Sequence, residues 1–157
     1  MKFSTREDIE ASIDDVFAAV SDFDWFERVI LRRGAEVSRI DSLTAPAPGM
    51  AWQSRFVFRG KPRVLAAELV RHEAPERLAM RTKGAGLDGL LSVDLVQLTP
   101  RRTRMSVQLE IRPETMTGRL LVQSLRLAKT NLTSRFKAGV GRFAGDIEAR
   151  AGNQRIA

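Results

Sequence analysis

Few side chains in this sequence could do chemistry at neutral pH. The chain has 157 residues, no cysteine, no tyrosine and a single histidine. That inventory excludes a thiol nucleophile, thiolate-bound zinc or iron–sulfur and a multi-histidine metal centre. No metal and no cofactor is therefore expected. His72 is the sole side chain whose ordinary pKa lies near neutrality. It lies between Arg71 and Glu73 beside the turn-forming Ala74-Pro75, so it reads as an exposed hairpin residue, not a general base. Asp14/Asp15 and Asp22/Asp24 are paired carboxylates, but they sit where helices start and complement a helix dipole there. Gly84-Ala85-Gly86 and Gly139-Val140-Gly141 lack the strand–turn–helix setting of a nucleotide fingerprint. No catalytic residue can be assigned. Arg55, Arg81 and Gln97 remain. Each lies on a strand, and a one-residue shift at a bulge would aim it into a cavity, where it could hold a carboxylate or phosphate. The plainer alternative is an exposed strand residue paired across the sheet.

The elements that would position these residues follow from periodicity. Phe3, Thr5 and Ile9 mark a first strand. Ser12 caps a short helix through Ile13, Val16, Phe17 and Val20, and Ser21-Asp22 and Asp24 start a second through Trp25, Phe26, Val29 and Ile30, stopped by Gly34. From Ala35 the pattern alternates. Strands are expected around Val37–Ile40, Trp52–Phe58, Val64–Arg71, Leu78–Thr82, Leu91–Leu98 and Arg104–Ile111, with a glycine-punctuated connection from Gly84 to Gly89. Alternation of apolar with polar residues in the last two indicates a sheet with one face buried and one wet. From Thr115 the spacing of Leu121, Leu125, Ala128, Leu132, Phe136, Val140, Phe143 and Ile147 predicts one long helix. A bend or a close backbone approach is expected at Gly139, Gly141 or Gly145. No linker or repeat divides the chain, so residues 1–157 read as a single domain.

Certain stretches carry a resemblance. ASIDDVFAAVSDFDWFERVI (11–30), PGMAWQSRF (48–56), VRHEAPERLAMR (70–81) and LVQLTPRRTRMSVQLEI (95–111), in this order, resemble the START/Bet v I-like (SRPBCC) superfamily, and within it the polyketide cyclase/dehydrase and lipid-transport group. The resemblance spans essentially the whole chain. It implies an α+β helix-grip fold, a curved seven-stranded antiparallel sheet with two short helices wrapped around a long C-terminal helix. It also implies an apolar cavity between sheet and helix. Trp52, Phe56, Phe58, Met80, Met105, Val107, Leu109, Leu125, Leu132 and Phe136 are its candidate lining, and each could equally be ordinary core.

Charge bears on partners. Lys+Arg number 26 against 19 Asp+Glu, a net charge of +7. The first fifty residues hold six basic and ten acidic side chains, so the excess lies in the remainder. Arg119, Arg126, Lys129, Arg135, Lys137, Arg142 and Arg150 surround the apolar stripe of the C-terminal helix. No helix-turn-helix or aromatic RNA-binding motif accompanies them, so no specific nucleic acid is expected. A solvated face is one reading, and peripheral contact with an anionic membrane the other. The polar N-terminus and the lack of a long apolar run point to a cytoplasmic protein. Monomer and homodimer both fit. The functional expectation is binding or transport of a hydrophobic small molecule (a lipid, isoprenoid or polyketide-like compound) without turnover. A cyclase/aromatase-type enzyme and a membrane- or protein-binding module are the alternatives.

Overall fold

The computed structural model describes residues 1–156, with side chains through Gln154. The elements are β1 (Lys2–Ile9), α1 (Ile13–Val20), α2 (Phe23–Arg32), β2 (Glu36–Arg39), β3 (Ala51–Phe58), β4 (Lys61–Glu73), β5 (Arg77–Gly84), β6 (Leu87–Thr99), β7 (Arg102–Pro113), α3 (Met116–Leu127) and α4 (Lys129–Ile156). The seven strands form one antiparallel sheet in the order β1-β7-β6-β5-β4-β3-β2. This is the helix-grip α+β arrangement, with α4 as its long terminal helix.

Local chemistry sets the element ends. Ser12 accepts a hydrogen bond from the Asp15 amide, Asp22 from that of Trp25 and Thr115 from that of Gly118, each satisfying a first-turn donor. Arg59-Gly60 and Ala85-Gly86 have positive φ at both positions, the two-residue turn whose twist matches that of paired strands. The second of these replaces the expected connection from Gly84 to Gly89. β5 and β6 meet in a tight hairpin, and Gly89 lies inside β6 opposite Thr82.

Two further expectations are corrected. The C-terminal stripe is not one helix, because α3 ends at Ala128 and α4 begins at Lys129. α4 instead runs unbroken through Gly139, Gly141 and Gly145. At Gly141 the close neighbour is the Glu7 carboxylate, not another backbone; a Cβ there would lie 3.3 Å from Glu7 Oε1. His72 is not a free hairpin residue. The β4–β5 register shifts at Val70, so Leu69 pairs with Met80 but His72 pairs with Leu78. Strict alternation would have turned Arg71 inward; the bulge turns His72 inward instead, edge-on to Phe17 with ring centroids 5.2 Å apart.

The core occupies one end of the concave face. Ile9, Val16, Leu69, Met105 and Ile147 are fully buried, with Phe17, Val20, Leu78, Val93, Leu95, Ala144 and Ala151 around them. α1 and the C-terminal part of α4 close over this end. Thr103, also fully buried, donates a 2.9 Å hydrogen bond to the Ala11 carbonyl and ties β7 to the start of α1. At the opposite edge Trp52 donates through Nε1 to Glu27 at 2.7 Å and packs on Phe23, fixing α2 to β3.

One carboxylate organises the loop between β2 and β3. Asp41 accepts two hydrogen bonds from Arg39, at 2.6 and 2.7 Å, and one each from the amides of Leu43 and Ala51, both at 2.8 Å. The Arg39 guanidinium, and then the Ala51 amide, hold its pKa well below the usual carboxylate range. A depressed folded pKa contributes stability in full above about pH 4, and that contribution disappears as the pH falls toward the folded value. Asp41→Asn should therefore lower the melting temperature at neutral pH and flatten its decline between about pH 4 and pH 2. Thermal melts of both proteins across that range check this; parallel acid limbs would show that Asp41 is not the group responsible.

Candidate functional site: an apolar groove on the concave face

The end of the concave face away from α1 carries apolar side chains that remain half-buried. Leu109 on β7, Leu91 on β6 and Met80 on β5 are in register across the sheet, and Leu65 on β4 and Phe56 on β3 share their face nearer the hairpin tips. Leu121, Leu125, Leu132 and Phe136 on α3 and α4 are half-buried as well, and Phe136 meets Phe3 at 5.9 Å. Small residues deepen the floor. Ala67 lies between Trp52 and Thr82, and Gly89 opposes both Thr82 and Ile111. The β3–β4 hairpin reaches α3, where Arg59 donates to Ser124 Oγ at 2.8 Å. At the other side Trp25 and Phe26 of α2 meet Phe143 of α4, with centroids 5.8 and 5.5 Å apart, and Arg150 lies over the Trp25 ring. The groove is thus framed by helices on one side and the sheet on the other, and it is concave and mostly apolar, as ligand sites usually are.

A cation faces the groove. Arg63 pairs with Phe56 and shares the phase of Leu65 and Ala67, and its Nε–H is buried with no acceptor among the described residues. A buried unpaired donor on a charged group is costly, and an anionic or carbonyl oxygen would relieve that cost. Glu7, half-buried on β1, is the acidic group of the same face.

Comparison with known proteins fits this geometry. The model of a family described as polyketide cyclase / dehydrase and lipid transport matches residues 1–148. The chain belongs to that family. Among solved structures it is similar to TTHA0849 from Thermus thermophilus, with a TM-score of 0.68 and 12% identity over 96% of this chain and 99% of that one. It is equally similar to the Zhui aromatase/cyclase from Streptomyces sp. R1128, with a TM-score of 0.68 and 12% identity over 96% and 94%. Norcoclaurine synthase from Thalictrum flavum superposes with a TM-score of 0.65 and 12% identity over 95% and 84%. At these identities the likeness is one of fold. A search of the curated proteins found no match.

Within this member of the polyketide cyclase / dehydrase and lipid-transport family, the residues singled out by sequence separate into groups. Phe56, Met80, Leu109, Leu125, Leu132 and Phe136 are half-buried along the groove, and Phe58 is exposed at the hairpin tip under Arg59. Trp52, Met105 and Val107 share the concave face but are closed off in the core, so they support the floor and do not line it. Arg55 and Arg81 lie on the convex face, because no bulge occurs in the pairing of β3 or at Arg81. Arg81 there approaches Asp88 at 3.7 Å. Gln97 has the concave phase but is exposed at the far end, where it lines a surface cleft of about 390 Å³ together with Ile13, Pro75, Arg77 and Asp94. Sequence reasoning missed Arg63, Leu65, Ala67 and Leu91. The missing signal was pairing: once Trp52 and Phe56 are fixed as inward, antiparallel register makes Ala67 and Arg63 inward too. Among the described residues no helix is long and apolar enough to cross a membrane, and no His/Asp/Glu group is arranged to hold a metal ion.

Proposed function

We propose that residues 1–157 act as one ligand-binding unit that holds a hydrophobic small molecule, a lipid, isoprenoid or polyketide-like compound, in the groove between the concave sheet and α3/α4. The observation that carries this reading is the uneven burial of one continuous apolar face. One end is a closed core, and at the other Phe56, Leu65, Met80, Leu91 and Leu109 keep partial access to solvent. Burying such surface under a ligand yields about 25 cal/mol per Å², so a chain covering several of these residues gains several kcal/mol. The family description, which includes lipid transport, supports the same class of ligand.

Arg63 adds a preference within that class. Its charge and unpaired Nε–H favour a ligand with a carboxylate or phosphate at one end. Titration with cis-parinaric acid, a fluorescent polyene fatty acid, tests both points. Saturable binding is expected, and Arg63→Ala should weaken it by about tenfold while leaving the methyl ester unaffected. Absence of saturable binding for acid and ester alike would refute the apolar groove. Equal losses for both probes would refute the role of Arg63.

A polyketide cyclase/aromatase activity is the second reading, supported by the family and by one inward guanidinium able to polarise a carbonyl. Its candidate residue is Arg63, since Arg55 and Arg81 point away from the groove.

A further inference from the structure

α3 has a second apolar face, and it points outward. Met116 is 73% exposed, Leu120 64% and Leu127 92%. At about 100° per residue these three lie within about 40° of one another around the helix. Gly118, Leu121, Val122 and Leu125, the residues α3 turns toward the protein, lie on the opposite side. The outward stripe therefore contributes little to packing within the chain. Leu127 occupies the corner where α3 ends at Ala128 and the chain turns into α4. Val57, 73% exposed, lies on the β3–β4 hairpin whose Arg59 contacts Ser124 of α3.

Apart from Glu114 just before the helix, which pairs with Lys83, the charge around this stripe is positive. From Thr115 to Gly145 the chain contains Arg119, Arg126, Lys129, Arg135, Lys137 and Arg142, and no Asp or Glu. Arg119 and Arg126 are exposed and flank the apolar stripe on one side. Arg59 and Lys61, also exposed, sit at the neighbouring hairpin tip. We infer that α3 and the β3–β4 hairpin tip form a docking surface for an anionic phospholipid bilayer, with Met116, Leu120 and Leu127 entering the acyl–headgroup boundary and the arginines engaging lipid phosphates.

Charge complementarity selects this occupant. A second copy of the chain would bring the same cationic face against itself, and like charges oppose that contact. A nucleic acid would match the arginines but would set a nearly fully exposed leucine against phosphates. A bilayer surface offers both halves, anionic headgroups over apolar chains, and rewards an amphipathic helix lying in its plane. The inference does not depend on what occupies the concave groove. A short helix of 12 residues, about 18 Å long, gives weak and reversible attachment, sensitive to salt.

Flotation with vesicles of stated composition tests this. The intact protein should float with vesicles of equal parts phosphatidylcholine and phosphatidylglycerol at about 0.1 M salt, and be released at about 0.5 M. It should stay behind with phosphatidylcholine alone. Leu120→Glu/Leu127→Glu and, separately, Arg119→Glu/Arg126→Glu should each lower the bound fraction by about tenfold. Melting curves confirm that both variants fold, as expected for exposed positions. Failure of the wild type to float with anionic vesicles would overturn the proposal. So would full binding by the leucine variant, which would make the interaction electrostatic alone. A dimer that Leu127→Glu dissolves would also overturn it by assigning the stripe to a second copy.

Discussion

Ala67→Phe is expected to reduce the affinity for cis-parinaric acid by about thirtyfold while the fold survives. Ala67 is half-buried on the floor of the groove, with Trp52 beside it on β3 and Thr82 on β5. Its side chain has the concave phase, so an added ring would enter the space between sheet and helices that a ligand would use. Displacing about 80 Å² of apolar contact removes about 2 kcal/mol, which corresponds to about thirtyfold. Phenylalanine is itself well suited to a half-buried strand position, so the melting temperature should move by only a few degrees. Titration beside a thermal melt separates the two quantities. Unchanged affinity in a folded variant would place the ligand elsewhere on the molecule.

The second large effect concerns how α3 is seated. Gly118→Ala should destabilise the protein, although alanine is the better helix former by about 0.5–1 kcal/mol. A Cβ at Gly118 would lie 2.0 Å from the Gly86 carbonyl oxygen and 2.7 Å from its carbonyl carbon. Both are backbone atoms of a tight turn, so no side-chain rotation can relieve the overlap. The same carbonyl accepts a 2.7 Å hydrogen bond from the Glu114 amide, which leads the chain into α3. Overpacking of this kind typically costs about 1–3 kcal/mol, enough to outweigh the helix gain. The expected net loss is about 1–2 kcal/mol, read as a shift of the denaturation midpoint. Amide exchange at Val122, buried on the inner side of α3, should rise, and parinaric acid affinity should fall as the helix wall loosens. A variant as stable as the wild type would mean that α3 can slide off the hairpin at little cost.

Much of the architecture is legible without coordinates. The cap at Ser12, the helix start at Ser21-Asp22 and Asp24, the helical spacing of Val16, Phe17 and Val20, and the strict alternation from Met105 to Ile111 are local signals, set by a few residues at fixed offsets. They act through backbone sterics and amphipathic phase, so the α+β class and the seven strands follow from them. The break at Ala128 was not legible, because the apolar stripe continues across it in phase. At the break the Ala128 amide bonds back to the Leu125 carbonyl and closes α3, a local backbone turn that side-chain periodicity does not report.

The groove divides in the same way. Sequence by itself determined which residues are apolar and which strand phase they share, and it narrowed the chemistry by omitting cysteine, tyrosine and all but one histidine. Only the tertiary structure decided which of those apolar residues are core and which are wall, since Met105 and Leu109 have the same phase on β7 and differ only in what lies over them. The structure alone also exchanged the polar candidates. Arg55 and Arg81 are convex, Arg63 is concave, and the bulge at Val70 turns His72 inward. The physical reason is register: a side chain's face depends on pairing partners far along the chain, and a single extra residue reverses it.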